Sequence, residues 1–219
     1  MSEPVRPRFA ARTPGDPAGV ARANPLAWLA SFVDGRHLAS PLPLVPVVGD
    51  DGAVESFIGH VARANPQRAM LEAEQRALVL LMGPHGYVSP SWMRDRSQAP
   101  TWNFASASFS VEVRMKPGRD PAHEAIALLV EAMEAGRPSR WRIEEMGERY
   151  ERLLAGVVAF EATVVDARAR FKLGQDERDD VYADILRGLS AHGNAPLADW
   201  MRRFNPGRPR GPAPEVDSP

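Results

Sequence analysis

The stretch from Gly83 to Phe104 carries the residue types best able to do chemistry. It holds His85, Tyr87, Trp92 and Trp102, the hydroxyls of Ser89, Ser91 and Thr101, and the amide of Asn103, punctuated by Pro84, Pro90 and Pro100. A plain core segment has no use for such a density. Gly83-Pro84 follows the apolar run Ala77–Met82 and is expected to end a strand there. Ser89-Pro90-Ser91 is turn chemistry, because proline fixes its own φ and holds the residue before it extended. A second strand starts at Thr101. A long polar loop between two strong strands is a usual seat of binding residues. The alternative is a surface loop whose aromatics only cover the core.

Other chemistries are excluded or disfavoured by what the chain lacks. It has no cysteine, which removes disulfides, thiolate metal sites and cysteine nucleophiles. His37, His60, His85, His123 and His192 are scattered, without HxH or HExxH spacing, which argues against a metal site. There is no GxSxG. Lys and Arg number 27 against 28 Asp and Glu, a net charge of −1, so no general field draws the protein to nucleic acid or to an anionic membrane. The only basic cluster is Arg202-Arg203 with Arg208 and Arg210, and no recognition-helix pattern accompanies it, which argues against direct nucleic-acid binding. No apolar run approaches the roughly 20 residues of a membrane span. The segment MSEPVRPRF lacks the apolar core of a signal peptide, so a cytoplasmic location is expected.

The elements that position these residues read as follows. Residues 1–15 form a Pro- and Arg-containing arm that orders only against a partner surface. Asp16-Pro17 starts a short helix to Asn24. Strands follow at Leu26–Val33, at Pro41–Val48 and at Val54–Val61, separated by Asp34-Gly35 and Asp50-Asp51-Gly52 turns, which argues for an antiparallel meander. The prolines of the second strand assign it to an edge or irregular rim. A short helix over Asn65–Gln75, with Asn65 as N-cap, precedes a strand over Arg76–Met82. The second half of Thr101–Met115 alternates cleanly, with Phe109, Val111, Val113 and Met115 on one face, and projecting that parity back puts Trp102 and Phe104 on the outer face, as an interface or ligand platform. A helix from Asp120 buries Ile126, Leu129, Val130 and Met133 and is capped by Gly136. A short helix through Tyr150, a strand over Gly156–Phe171 and two amphipathic helices, through Tyr182–Leu189 and Leu197–Phe204, complete a single domain over 16–204. Residues 205–219 are Pro/Gly-rich and are expected to be disordered. The whole reads as mainly β with flanking helices (α+β), a closed antiparallel barrel.

GPHGYVSPSW followed by PTWNF resembles the FMN-binding negative transcriptional regulator (PaiB-like) family. ANPLAWL, GHVARANPQ (Gly59–Gln67) and FKLGQD (Phe171–Asp176) are similar to further family motifs, so the resemblance covers nearly the whole chain to Phe204. It implies a split β-barrel of the flavin-reductase and pyridoxamine-phosphate-oxidase type, a homodimer, and FMN in the groove between subunits. Set against that cofactor, Arg63 and Lys172 are the candidate cations for the phosphate, and Ser89, Ser91 and Thr101 its hydroxyl donors. Trp92 or Trp102 would wall the isoalloxazine, Asn103 and Gln175 would bond its edge, and His60 or His85 would donate to flavin or substrate or act as an acid–base. Each has a structural alternative: a solvated charge, a core tryptophan, a backbone-bonded amide or histidine. The chain departs from the pattern at Pro41, Gly86, Met93, Phe104, Gly174 and Asp176. Gly174 removes a hydroxyl and Asp176 adds a carboxylate near the proposed phosphate. The resemblance therefore implies a flavin-dependent oxidoreductase of unknown small-molecule substrate. A regulator without a recognisable DNA-binding motif, and a member that lost or exchanged its flavin, are the alternatives.

Overall fold

In the computed structural model the described residues are 7–208, so residues 1–6 of the expected arm and 209–219 of the expected tail lie outside them. By its internal contacts the described chain forms two compact units. One is built from Arg12–Leu81 and Ala107–Arg168, the other from Met82–Ser106 together with residues 7–11 and 169–208.

Six strands form a closed barrel: β1 (Leu26–Val33), β2 (Arg36–Val48), β3 (Val54–Ala62), β4 (Arg76–Val88), β5 (Thr101–Lys116) and β6 (Val157–Lys172), in the order β1-β2-β3-β6-β5-β4. The β1–β2 hairpin turns on Asp34 (φ 48°) and Gly35 (φ 76°), the two positive φ angles that a two-residue type I′ turn requires. The larger unit buries Leu29, Leu44, Phe57, Val79, Phe109, Val111 and Phe160 as barrel core, with Phe57 and Phe109 edge to face at 5.0 Å. Gly59 is required by space: a Cβ there would stand 2.6 Å from Leu44 and 2.8 Å from Phe160.

β2 corrects the edge assignment, since it lies between β1 and β3. Its prolines are tolerated by parity. Leu44 N–H donates to Pro25 O at 2.8 Å, so the even-numbered amides of β2 point toward β1 and the odd ones away. Pro41 and Pro43, opposite Trp28 and Leu26, are odd; Pro46, paired with Phe57 of β3, is even. Each ring therefore sits where its missing N–H would have faced away from the strand it pairs with.

Helices α1 (Gly15–Ala23), α2 (Gln67–Ala73), α3 (Arg119–Glu134) and α4 (Arg149–Leu154) belong to the same unit. The buried line of α3 runs through Ala122 and Ala125, with Ile126 and Val130 partly buried against Ile143, Tyr150 and Leu154, while Met133 is exposed. Small residues let α3 approach closely, and this moves its contact stripe one turn toward the N-terminus of the expected one.

In the other unit, α5 (Asp179–Ala191) and α6 (Ala195–Phe204) accompany the ends of β4, β5 and β6. β4 does not stop at Gly83 but continues to Val88. Its exposed positions are even-numbered through Met82 and odd at His85 and Tyr87, so alternation slips across Gly83-Pro84. A slip of that kind accommodates a proline inside a strand. Phe171, Trp200 and Phe204 stack with near-parallel rings. Segments read as arm and tail are held here: Ala10 bridges to Arg170, and Arg208 binds Asp179 and the carbonyls of Gly174 and Glu177.

Candidate functional site

The continuation of β4 places His85 and Tyr87 two residues apart, facing the same way. Trp102 of β5 is 54% exposed, with His85 stacked beside it at 6.3 Å and Tyr87 edge-on at 6.2 Å. Three aromatic rings thus form an open platform. Tyr87 is the member that sequence reasoning missed, because GPHGYV reads as a loop and only a strand brings i and i+2 together. His85 is oriented by its Nδ1 bond with Gly83 O at 2.9 Å.

On the other face of β5, Lys172 donates its ammonium to Thr101 Oγ1 and makes no ion pair among the described residues. Two ammonium hydrogens and the threonine hydroxyl proton remain to donate. Asn103 shares that face and is buried; its Nδ2 lies 3.6 Å from Met201 Sδ and its Oδ1 has no partner among the described residues. Gln175 closes its own turn, accepting from Leu173 N at 2.7 Å and donating to Phe171 O at 2.5 Å. Ser89 and Ser91 bond one another at 2.7 Å and cap the 3-10 turn Pro90–Trp92. Trp92 gives one ring face to His192 at 4.9 Å. The structure thus brings Trp102 together with His85, and Lys172 together with Thr101. It ties Trp92, Ser89, Ser91 and Gln175 into local structure.

His60 and Arg63 lie in the larger unit. His60 Nδ1 is buried without a partner among the described residues, and burial lowers its pKa, which favours the neutral ring. Arg63 donates to Ala155 O at 3.1 Å and Val157 O at 3.3 Å, and three of its five N–H groups remain. The same motif supplies Asn65, which holds Ser40 Oγ and caps Gln67 N, and buried Gln67, which bonds Leu29 O at 2.7 Å and Ser31 Oγ at 2.9 Å. GHVARANPQ is therefore a hydrogen-bond hub joining β1, β2 and β6, whatever else it does.

The departures have local causes. Gly174 has φ +78°, and a Cβ there would meet Met201 at 3.0 Å and Tyr182 at 3.1 Å. Asp176 is exposed, and with burial it keeps the pKa of neighbouring Glu177 raised. Chemically, this unit offers an open aromatic seat on one face of β5 and a cation–hydroxyl pair on the other.

Residues 5–166 match the family described as "Putative FMN-binding domain". The chain belongs to that FMN-binding family. It is 29% identical over 172 residues to the Bacillus subtilis protein named "Protease synthase and sporulation protein PAI 2", spanning 78% of this chain and 81% of that one. Among solved structures it resembles the flavocytochrome Anf3 from Azotobacter vinelandii (TM-score 0.56, 14% identity, 74% of this chain and 69% of that chain). It also resembles an FAD and heme binding protein from Mycobacterium smegmatis (TM-score 0.54, 19% identity, 75% and 74%). These likenesses show the fold: the split barrel of flavin-binding proteins. No described helix of this family member is long and apolar enough to cross a membrane.

Proposed function

We propose that this protein binds FMN as a homodimer and serves as a flavin-dependent oxidoreductase. The observation that carries the reading is Lys172, a partly buried ammonium that among the described residues bonds only Thr101, with donors left for a phosphate. When bound, FMN supplies the hydride or electron transfer, and the chain supplies position and electrostatics. In this reading Lys172 and Thr101 hold the phosphate, with Ser89 and Ser91 as further hydroxyls, and Arg63, in the larger unit, is a separate candidate cation. Trp102, flanked by His85 and Tyr87, offers the apolar wall that keeps water from the ring. Asn103 and Gln175 orient the ring edge through the groups their own bonds leave over. His60 stays neutral and Trp92 braces the loop. Thr101 and Trp102 leave β5 on opposite faces, so a flavin seated by its phosphate on Lys172 takes its wall from the Trp102 of a second copy.

The test is titration of apo-protein with FMN, followed by quenching of flavin fluorescence, with riboflavin as the control lacking the phosphate. Lys172→Gln is expected to weaken FMN about 10–100-fold, the loss of a charge-assisted bond, and to leave riboflavin nearly unchanged. Arg63→Ala is expected to discriminate in the same direction. A wild type with no saturable binding at tens of micromolar FMN overturns the flavoprotein reading.

A further inference from the structure

A cavity of ≈ 400 Å³ opens at the C-terminal end of α6, lined by Tyr182, the turn Asn205–Gly207 and three arginines, Arg202, Arg203 and Arg208; among the described residues no carboxylate lines it. The arginines differ in how far they are committed. Arg202 reaches Asp199 at 2.8 Å. Arg208 binds Asp179 at 3.0 Å, Gly174 O at 2.7 Å and Glu177 O, and its guanidinium lies 4.8 Å over the Tyr182 ring. Arg203 lies 4.5 Å over the Trp200 ring and has no ion pair among the described residues. A guanidinium stacked on an indole keeps its rim of N–H donors free in the ring plane, pre-organised for a bidentate oxyanion.

Arginines in a last helical turn also complement the helix dipole. Here the carbonyl ends are served by other groups. Asn205 Nδ2 donates to Met201 O at 2.8 Å and Leu173 O at 2.9 Å, and Asn205 N–H donates to Arg202 O at 3.3 Å. The Arg203 charge is therefore in excess of what the cap uses. The cavity also lies beyond residues 5–166, the extent of the family match.

We propose that this cavity is a second anion site, separate from the flavin phosphate, which takes a small organic anion. Its phosphate or carboxylate pairs with the rim of Arg203, and its apolar body rests on Pro206, beside the stacked Arg208–Tyr182 pair. The volume falls within the roughly 300–1,000 Å³ of small-molecule sites. Arg208 holds the carbonyls of Gly174 and Glu177, so the cavity shares a wall with the turn that carries Lys172 and Gln175.

The experiment is calorimetric titration of the full chain with phenyl phosphate and, separately, benzoate and inorganic phosphate, all in saturating FMN. Phenyl phosphate or benzoate is expected to bind saturably. Arg203→Gln, an exposed position, should weaken that binding about tenfold or more, and Lys172→Gln should leave it unchanged. The stronger of the two ligands identifies the head group, and inorganic phosphate should bind more weakly than either. Should FMN itself fail to bind, the same two variants still separate this site from the flavin phosphate site. Absence of binding, displacement by FMN, or indifference to Arg203→Gln overturns the proposal.

Discussion

Gly174 stands where the family resemblance leads one to expect a serine, and its backbone explains why. At φ +78° an L side chain is strained by about 1–2 kcal/mol, and Met201 and Tyr182 already occupy the space of a Cβ. Gly174→Ser is therefore expected to lower the urea midpoint of unfolding by an amount equivalent to about 1–2 kcal/mol and not to tighten FMN binding. A variant as stable as wild type with stronger FMN binding would show that the turn relaxes to present the hydroxyl. The neighbouring motif residues divide in the same way. Arg63, Asn65 and Gln67 are conspicuous in sequence as a set. Only their partners, carbonyls and a hydroxyl on strands remote in the chain, show how much of that set is spent on holding the barrel.

α5 and the loop before β5 are locked together by two contacts. Gly188 lies against the Trp92 ring so closely that a Cβ would stand 2.5 Å from Cδ2 and 2.7 Å from Cγ. Glycine to alanine within a helix ordinarily gains about 1 kcal/mol. Here Gly188→Ala is expected to destabilise instead, pushing Trp92 off His192, with loss of near-ultraviolet circular dichroism as the readout. The second contact is the buried carboxylate of Asp184, which accepts from Arg94 N at 2.9 Å, Arg94 Nε at 3.2 Å and Arg187. Burial works to raise its pKa, and the Arg94 amide and guanidinium together with Arg187 overcome it, leaving the group below the ordinary aspartate value of 3.8. A depressed folded pKa contributes stability that is present above the unfolded value and is lost as pH falls through the folded one. Acid titration of tryptophan fluorescence should therefore show the loop releasing below about pH 3.8. Asp184→Asn should release it already at neutral pH. Release at neutral pH in the wild type would exclude Asp184 as the cause.

In the larger unit the outer surface of β1 carries Leu26, Trp28 and Phe32, which are 65%, 52% and 56% exposed, and Leu80 of β4, 40% exposed, pairs directly with Trp28. The proposed homodimer is expected to cover this apolar patch. Light scattering behind size exclusion is expected to give twice the chain mass of 24.0 kDa, and Trp28→Glu is expected to shift it to a monomer without a large change in thermal midpoint. A wild-type monomer at micromolar concentration contradicts both the interface and the sharing of a flavin between copies.

The number of strands, the period-2 alternation of β5, the Asp34-Gly35 hairpin and the stripes of α5 and α6 were legible from residue order, because each depends on neighbours a few positions away, whereas the α3 stripe was set by its close approach through Ala122 and Ala125. The outward Trp102 followed from the same parity and holds. Only the folded chain could show that β4 runs on to Val88 through a slip at Gly83-Pro84, making His85 and Tyr87 flank Trp102. The same is true of the three prolines of β2 inside a closed barrel and of Trp92 packed on Gly188. Strand pairing, amide direction and close approach are set by partners distant in sequence. A pattern read along one strand carries no information about which side of it the missing hydrogen bond will face.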